Sequence, residues 1–169
     1  MKRQELGDSH QTLGERMIEQ QTTPKETAAA ATETPARDLD KVGVMGAAAW
    51  LMAQSPLHRH LFMADMEWLV IPPVALGQFR LWRNGNQPEG FASWANVSDE
   101  IDQALAQGSG RLRPTDWQSG PHLWLMDLVA PFGGQAKAIE DLKATVLKDQ
   151  PFKLMRPRDD GHGLVVSEG

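Results

Sequence analysis

Apolar and polar positions along the chain first predict a helix that ends in a turn. From Lys41 to Ala53 the apolar residues recur at helical spacing, and Ser55-Pro56 ends that segment. Glu67 to Ile71 is a short apolar run that stops at Pro72-Pro73, and we read it as a strand. The domain is therefore expected to begin with a helix, a turn and a short strand.

The next pattern is typical of a β-hairpin. Apolar and polar residues alternate from Phe79 to Arg83, and Asn84-Gly85-Asn86 is a strong turn signal. Gly90 to Ala95 then returns as the second strand. Ser98 follows as the capping residue of a helix that runs to Ala106. This region predicts two antiparallel strands followed by a helix.

The second half of the chain predicts the centre of the sheet. Leu123 to Ala130 is apolar on both faces except at Asp127, as expected for a central strand. A helix from about Gln135 to Leu147 follows, and short strands near Phe152–Met155 and Leu164–Val166 complete the sheet. The whole pattern predicts an α/β or α+β domain with a mixed, mostly antiparallel sheet flanked by helices.

The first 38 residues have a different composition. Gln, Thr, Glu and Ala dominate, and large apolar residues are too few to offset the conformational entropy of folding. We expect a disordered tail at 1–38 and one domain at 39–169. No window approaches eighteen apolar residues, and the N-terminus lacks the apolar segment of a signal peptide. A cytoplasmic protein that is not transmembrane is therefore expected.

Composition and charge exclude some kinds of chemistry. The chain has no cysteine, which excludes a thiol nucleophile and thiolate metal sites, and its net charge of −5 argues against binding to nucleic acid. The histidines lack metal-ligand spacing, so no metal is expected. The stretch from Lys137 to Arg158 contains six basic residues and three acidic ones. That stretch fits an acidic partner or phosphate, or an ordinary solvated helix face.

Two residues are candidates for proton transfer. His58 lies on the turn after the first helix, and Asp127 lies in the central strand. Histidine titrates near neutral pH, and a buried carboxylate can fix its tautomer and raise its basicity. The structural alternatives are a surface histidine after Ser-Pro and a buried acid paired with an arginine or with backbone amides. Gly133-Gly134 is either an anion site at a helix start or plain turn chemistry.

Methionine and tryptophan are numerous near these candidates. Such side chains can line an adaptable groove for a flexible apolar ligand, or they can form ordinary core. The residues concerned are Trp50, Met52, Met63, Met66, Trp94, Trp124 and Met126.

Four segments, in this order, resemble the RTX toxin-activating lysine acyltransferases of the hemolysin-activating, HlyC-like type. They are Gly46 to His58, Phe91 to Ser98, Asp116 to Gly120, and Trp124 to Gly133. The resemblance covers roughly Val42 to Glu168. It implies an acetyltransferase-like (GNAT-like) fold. It also implies transfer of a fatty acyl chain from acyl carrier protein to internal lysine side chains of an RTX protoxin in the cytoplasm.

The resemblance also implies roles for particular residues. His58 matches the family histidine as general base, and Asp127 matches the supporting aspartate. Lower-ranking candidates for substrate or acyl binding are Ser55, Ser93, Trp94, Gly133, Gly134 and Arg156.

The implied partners are acyl carrier protein, as donor of the acyl thioester, and the RTX protoxin; no cofactor is held permanently, and a homodimer is left open. Direct transfer to the lysine amine is the preferred route, with an acyl-enzyme on Ser55 or His58 as the alternative. Two other functions remain: a non-catalytic acyl-carrier or toxin-binding module of the same fold, and an acyl-CoA-dependent GNAT-type enzyme. The pyrophosphate loop usual in the latter class is absent from the sequence.

Overall fold

The structure is a computed structural model that describes residues 39–148, 150–157 and 164–168. The predicted tail at 1–38 lies outside the described residues. In the described ranges the chain forms a five-stranded sheet with helices on both faces. The predicted α/β class with a mixed, mostly antiparallel sheet is confirmed, while the likeness to acetyltransferase folds stays a prediction. No helix in these ranges is long and apolar enough to cross a membrane.

The elements follow the chain in the order predicted, with one exception. The helices are α1 (Lys41–Gln54), α2 (Met66–Leu69), α3 (Ile71–Leu76), α4 (Asp99–Ala106) and α5 (Gln135–Thr145). The strands are β1 (Phe79–Asn84), β2 (Gln87–Val97), β3 (His122–Val129), β4 (Phe152–Pro157) and β5 (Leu164–Glu168). Short 3₁₀ turns at Met63–Asp65 and Pro114–Trp117 precede α2 and β3.

The strands lie side by side in sequence order, from β1 at one edge to β5 at the other. Neighbouring strands are antiparallel except β3 and β4, which are parallel and are connected through α5. The predicted hairpin of β1 and β2 is confirmed, and β3 occupies the central position expected from its apolar sequence.

The predicted strand at Glu67 to Ile71 is wrong. Those residues lie in α2 and at the start of α3. Pro72 and Pro73 occupy the first turn of α3, where a missing backbone N–H leaves no helical hydrogen bond unmade. A short apolar run does not distinguish a strand from a buried helix. Here Val70 and Val74 face the core from the helical segment.

The two faces of the sheet are packed by different helices. On one face, which we call the α1 face, Val44, Ala48 and Leu51 of α1 pack against Phe91 and Val129. Asp40 caps the start of α1 by accepting a hydrogen bond of 2.7 Å from the Gly43 N–H.

The opposite face, which we call the α5 face, is covered by α5. There Leu142 packs against Ala92 and Leu125. Since successive residues of a strand point to opposite faces, β2 and β3 each present side chains to both layers.

Candidate active site

The turn after α1 positions two side chains next to each other. Ser55 is the C-cap of α1, and its carbonyl accepts hydrogen bonds from the N–H groups of His58 and Arg59 at 3.1 and 2.9 Å. Pro56 prevents the helix from continuing. This tight turn places Ser55 Oγ 2.7 Å from His58 Nδ1.

A bulge in β3 directs Asp127 toward that turn. Ser93 of β2 is paired with Asp127, whereas its neighbour Trp94 is paired with Leu125, so Met126 is an extra residue in β3. Asp127 and Leu125 therefore point to opposite faces although they are two residues apart. Leu125 packs on the α5 face, and Asp127 lies on the α1 face. Without the bulge, the regular alternation would turn Asp127 away from His58.

His58 Nε2 lies 3.0 Å from Asp127 Oδ1. Both side chains are nearly enclosed, with exposed fractions of 11% for His58 and 9% for Asp127. The other carboxylate oxygen of Asp127 and the hydroxyl of Ser93, its cross-strand neighbour, are buried without a hydrogen-bond partner among the described residues. His58 is thus the group that solvates this carboxylate, which would otherwise be costly to bury.

Chemistry fixes the direction of these hydrogen bonds. An ionised carboxylate only accepts, so the contact with Asp127 places the proton on His58 Nε2. A neutral imidazole then has Nδ1 as its acceptor, and the hydroxyl of Ser55 donates to it. Ser55, His58 and Asp127 therefore form a hydroxyl–imidazole–carboxylate series. Such a series can activate a nucleophile or take a proton from one.

Three of the other candidate residues lie away from this series. Trp94 packs on the α5 face with the cluster around Leu142. Gly133 and Gly134 have φ values of +96° and +87° and form the turn that leads into α5.

The two glycines border a separate cleft of about 170 Å³, whose walls also include Trp82 and Lys137. The N–H of Gly133 is already engaged with the carbonyl of Ala130 at 3.2 Å. The backbone of Arg156 lies in β4, and its side chain is outside the described residues. Of the secondary candidates, Ser55 and Ser93 are the two that the fold brings to the histidine–aspartate pair.

A cleft of about 140 Å³ lies directly beside His58, which forms part of its wall. The rest of the wall is mainly apolar and comes from α1, from the loop after the Ser55 turn, and from α2. Its large apolar residues are Met52, Leu61, Phe62, Met63, Met66 and Leu69. The sequence pattern singles out the three methionines but not Leu61 or Phe62. The cluster of apolar residues in a predicted turn region was the available signal.

Asp65 holds the loop that borders this cleft. It accepts hydrogen bonds from Trp68 Nε1 at 3.0 Å, from the Phe62 N–H at 2.8 Å and from Arg111 at 3.2 Å. The hydrogen bond from Trp68, followed by that from Phe62, holds the pKa of Asp65 below its usual value. An ionised Asp65 therefore stabilises the loop between Phe62 and Trp68.

The basic stretch is divided between surface and internal contacts. Lys137, Lys143 and Lys148 are exposed on or just after α5. Lys153 instead donates to both oxygens of Asp102 at 2.8 and 2.9 Å. The three exposed lysines share the surface of this region with the exposed Glu140, while Asp141 pairs with Arg80 at 3.2 Å. Within the described residues, no group of three or more histidine, aspartate or glutamate side chains could hold a metal ion.

Comparison with known proteins identifies relatives over most of the described domain. The model of the RTX toxin acyltransferase family matches residues 37–168. The leukotoxin-activating lysine-acyltransferase LtxC of Aggregatibacter actinomycetemcomitans is 34% identical over 113 residues, which are 67% of this chain and 65% of that protein. The RTX-I toxin-activating lysine-acyltransferase ApxIC of Actinobacillus pleuropneumoniae is 31% identical over 125 residues, 74% of this chain and 72% of the relative.

A protein-lysine myristoyltransferase, HlyC of Escherichia coli, is also 31% identical over 125 residues, which are 74% of this chain and 71% of that protein. The chain therefore spans about two thirds of the length of the curated relatives that it matches.

Proposed function

This chain belongs to the RTX toxin acyltransferase family, and we propose on that premise that it transfers a fatty acyl group to lysine side chains of an RTX protoxin. Its relatives carry the names of toxin-activating lysine-acyltransferases and of a protein-lysine myristoyltransferase. The observation that carries the proposal is the series of hydrogen bonds from Ser55 through His58 to Asp127. A lysine amine has a reference pKa of about 10.4, so its acylation at neutral pH requires a base, which this series supplies.

In the direct route, the lysine ammonium first releases one proton to solvent, and the neutral amine then attacks the carbonyl carbon of an acyl thioester. As the C–N bond forms, the surplus proton on nitrogen passes to His58 Nδ1 through the hydroxyl of Ser55. The C–S bond then breaks, and His58 returns the proton to the departing thiolate. Asp127 keeps the imidazole in the correct tautomer and stabilises the imidazolium between these two steps.

A covalent route is the alternative, and the 2.7 Å contact between Ser55 Oγ and His58 Nδ1 favours it specifically. In that route the hydroxyl of Ser55 attacks the thioester, and an acyl-serine forms as the thiol leaves. The lysine amine then attacks this ester. The two routes differ in whether Ser55 is bonded to the acyl group or only relays a proton.

We assign acyl carrier protein as the donor and the cytoplasm as the site of the reaction. The exposed lysines at 137, 143 and 148 support an acidic donor protein, because positive side chains at a surface can contact an acidic partner and speed their encounter.

The test is co-expression with an RTX protoxin, followed by mass spectrometry of the toxin's lysines. We expect an acyl mass shift with the wild-type chain. His58→Ala should lower the rate by about 10²–10⁴-fold, the usual contribution of general base catalysis. His60→Ala is the matched control, since His60 is an exposed histidine two positions along the same loop. Its rate should equal that of the wild type.

Purified components then identify the donor and the route. We expect the protein to accept acyl carrier protein thioesters as donors in preference to the matching coenzyme A thioesters. Ser55→Ala should keep measurable transfer in the direct route and lose it in the covalent route. Intact-protein mass spectrometry without acceptor should detect an acyl adduct in the covalent route alone. Full activity in His58→Ala would refute the assigned roles, and a wild type that modifies no lysine would refute the function.

A further inference from the structure

We propose that the apolar cleft beside His58 binds the alkyl part of the acyl donor and selects its length. This inference rests on the proposed acyltransferase function and deepens it by naming where the substrate's chain lies. During transfer, the carbonyl carbon must lie next to Ser55 and His58. The alkyl chain must then leave along a surface that begins at His58. The cleft is such a surface, since His58 forms part of its wall.

The exposure of the cleft's residues fits an apolar ligand. Phe62 and Met63 are 78% and 79% exposed, and contiguous apolar surface that is exposed to water often marks a ligand-binding groove. Met52 and Leu69, in contrast, are buried and form the floor. An alkyl chain between floor and rim removes apolar surface from water on both sides. Methionines in the wall can adapt to chains of different shape.

The dimensions of the cleft explain why chain length should matter. Its volume is about 140 Å³. In another protein an apolar cavity of about 150 Å³ accommodates benzene, so this cleft accepts roughly six carbons as it stands. A longer chain must continue over the exposed rim at Phe62 and Met63. Leu61 is 38% exposed and lines the same cleft, so its size should control how far a chain can extend.

The wall is held in place by Asp65, which binds the Phe62 N–H at the rim and Trp68 in α2. Arg111 adds an ion pair to the same carboxylate at 3.2 Å and stacks over the Trp68 ring at 5.0 Å. Because the rim is anchored at both ends, the cleft is a preformed site rather than a loose loop. A preformed site discriminates between chains by their size.

The experiment is a competition between equimolar octanoyl, dodecanoyl and hexadecanoyl carrier proteins, with product lengths read by mass spectrometry. Leu61→Trp should shift the products toward shorter chains, by about fourfold for each methylene excluded and about fifteenfold for two. Leu61→Ala should shift them toward longer chains. Leu76→Trp is the matched control: Leu76 is 40% exposed against 38% for Leu61, but it lies in α3 and not in the cleft wall.

An unchanged product profile in Leu61→Trp, or an equal shift in Leu76→Trp, would overturn the proposal while leaving acyl transfer intact. If the wild type transfers no acyl chain at all, the proposed function fails, and the cleft is then tested separately by measuring fatty-acid binding. Dodecanoate should then displace a fluorescent fatty acid, cis-parinaric acid, from the wild type and from Leu76→Trp, but bind at least tenfold more weakly to Leu61→Trp, on the order of two lost methylenes. If the wild type binds no dodecanoate in this assay, the proposal that the cleft holds the alkyl chain is also overturned.

Discussion

Replacing Asp127 by asparagine isolates the role of one carboxylate without changing the size of the side chain. An asparagine amide can donate a hydrogen bond to His58 Nε2, which would move the imidazole proton to Nδ1. His58 would then donate toward Ser55 and no longer accept from it. The base would be lost although every atom of the series stays near its position.

The expected loss follows from the tautomer. In serine proteases, the equivalent aspartate-to-asparagine change reverses the tautomer and lowers kcat by about 10⁴-fold. Here the 3.0 Å contact and the enclosure of both side chains imply a loss of the same order, roughly 10³–10⁴-fold in kcat, with little change in KM for the donor. Stability should hold or rise, because a buried charge with one unpartnered oxygen is removed.

The assay combines steady-state transfer to a protoxin fragment with urea unfolding of the same preparation. Asp116→Asn is the control, since Asp116 is equally enclosed but serves a structural contact. Its carboxylate accepts hydrogen bonds from the backbone N–H, Nε and Nη2 of Arg113. That variant should lose roughly 1 kcal/mol of stability and keep its kcat. Transfer by Asp127→Asn within tenfold of the wild type, in a folded protein, would refute the tautomer argument.

Two further predictions concern the stability of the fold. A Cβ on Gly120 would approach backbone atoms of Val97 and Ser98 at 2.6 Å, so Gly120→Ala should destabilise the fold by about 1–3 kcal/mol in thermal melts. Gly46 is an exposed helix position with open space around it, so Gly46→Ala should stabilise the fold by about 1 kcal/mol. Burial opposes ionisation of Asp102, but hydrogen bonds from Lys153 and from a tryptophan outweigh it and hold the pKa below its ordinary 3.8. The contribution of ionised Asp102 to the free energy of unfolding is therefore complete above pH 3.8 and is lost as pH falls through the lower pKa of the folded state. The urea concentration at the midpoint of unfolding should fall when the pH is lowered below about 4, and it should fall less in Asp102→Asn.

Most of the fold could be predicted from local patterns. The Asn84-Gly85-Asn86 signal between alternating segments predicts the hairpin of β1 and β2, and Gly85, with φ +56°, supplies the left-handed backbone that such a turn needs. The apolar sequence of β3 identified the central strand, since only a strand covered on both faces can be apolar throughout. The pattern was ambiguous at Glu67 to Ile71, where a short run without clear periodicity could be a strand or a helix. Packing of Val70 and Val74 under the sheet decided in favour of a helix.

The candidate site shows the same division more sharply. The amino-acid sequence alone determined the types of residue and their order: a histidine on a turn closed by Ser55, and an acid in the central strand at Asp127. The side on which that acid emerges depends on the extra residue at Met126, and a bulge depends on how two distant strands pair. The cleft beside His58 likewise needs three separate segments to meet in space. Local propensity determines where helices and strands form. The position of one side chain relative to a distant one is set by strand register and packing, which only the tertiary structure contains.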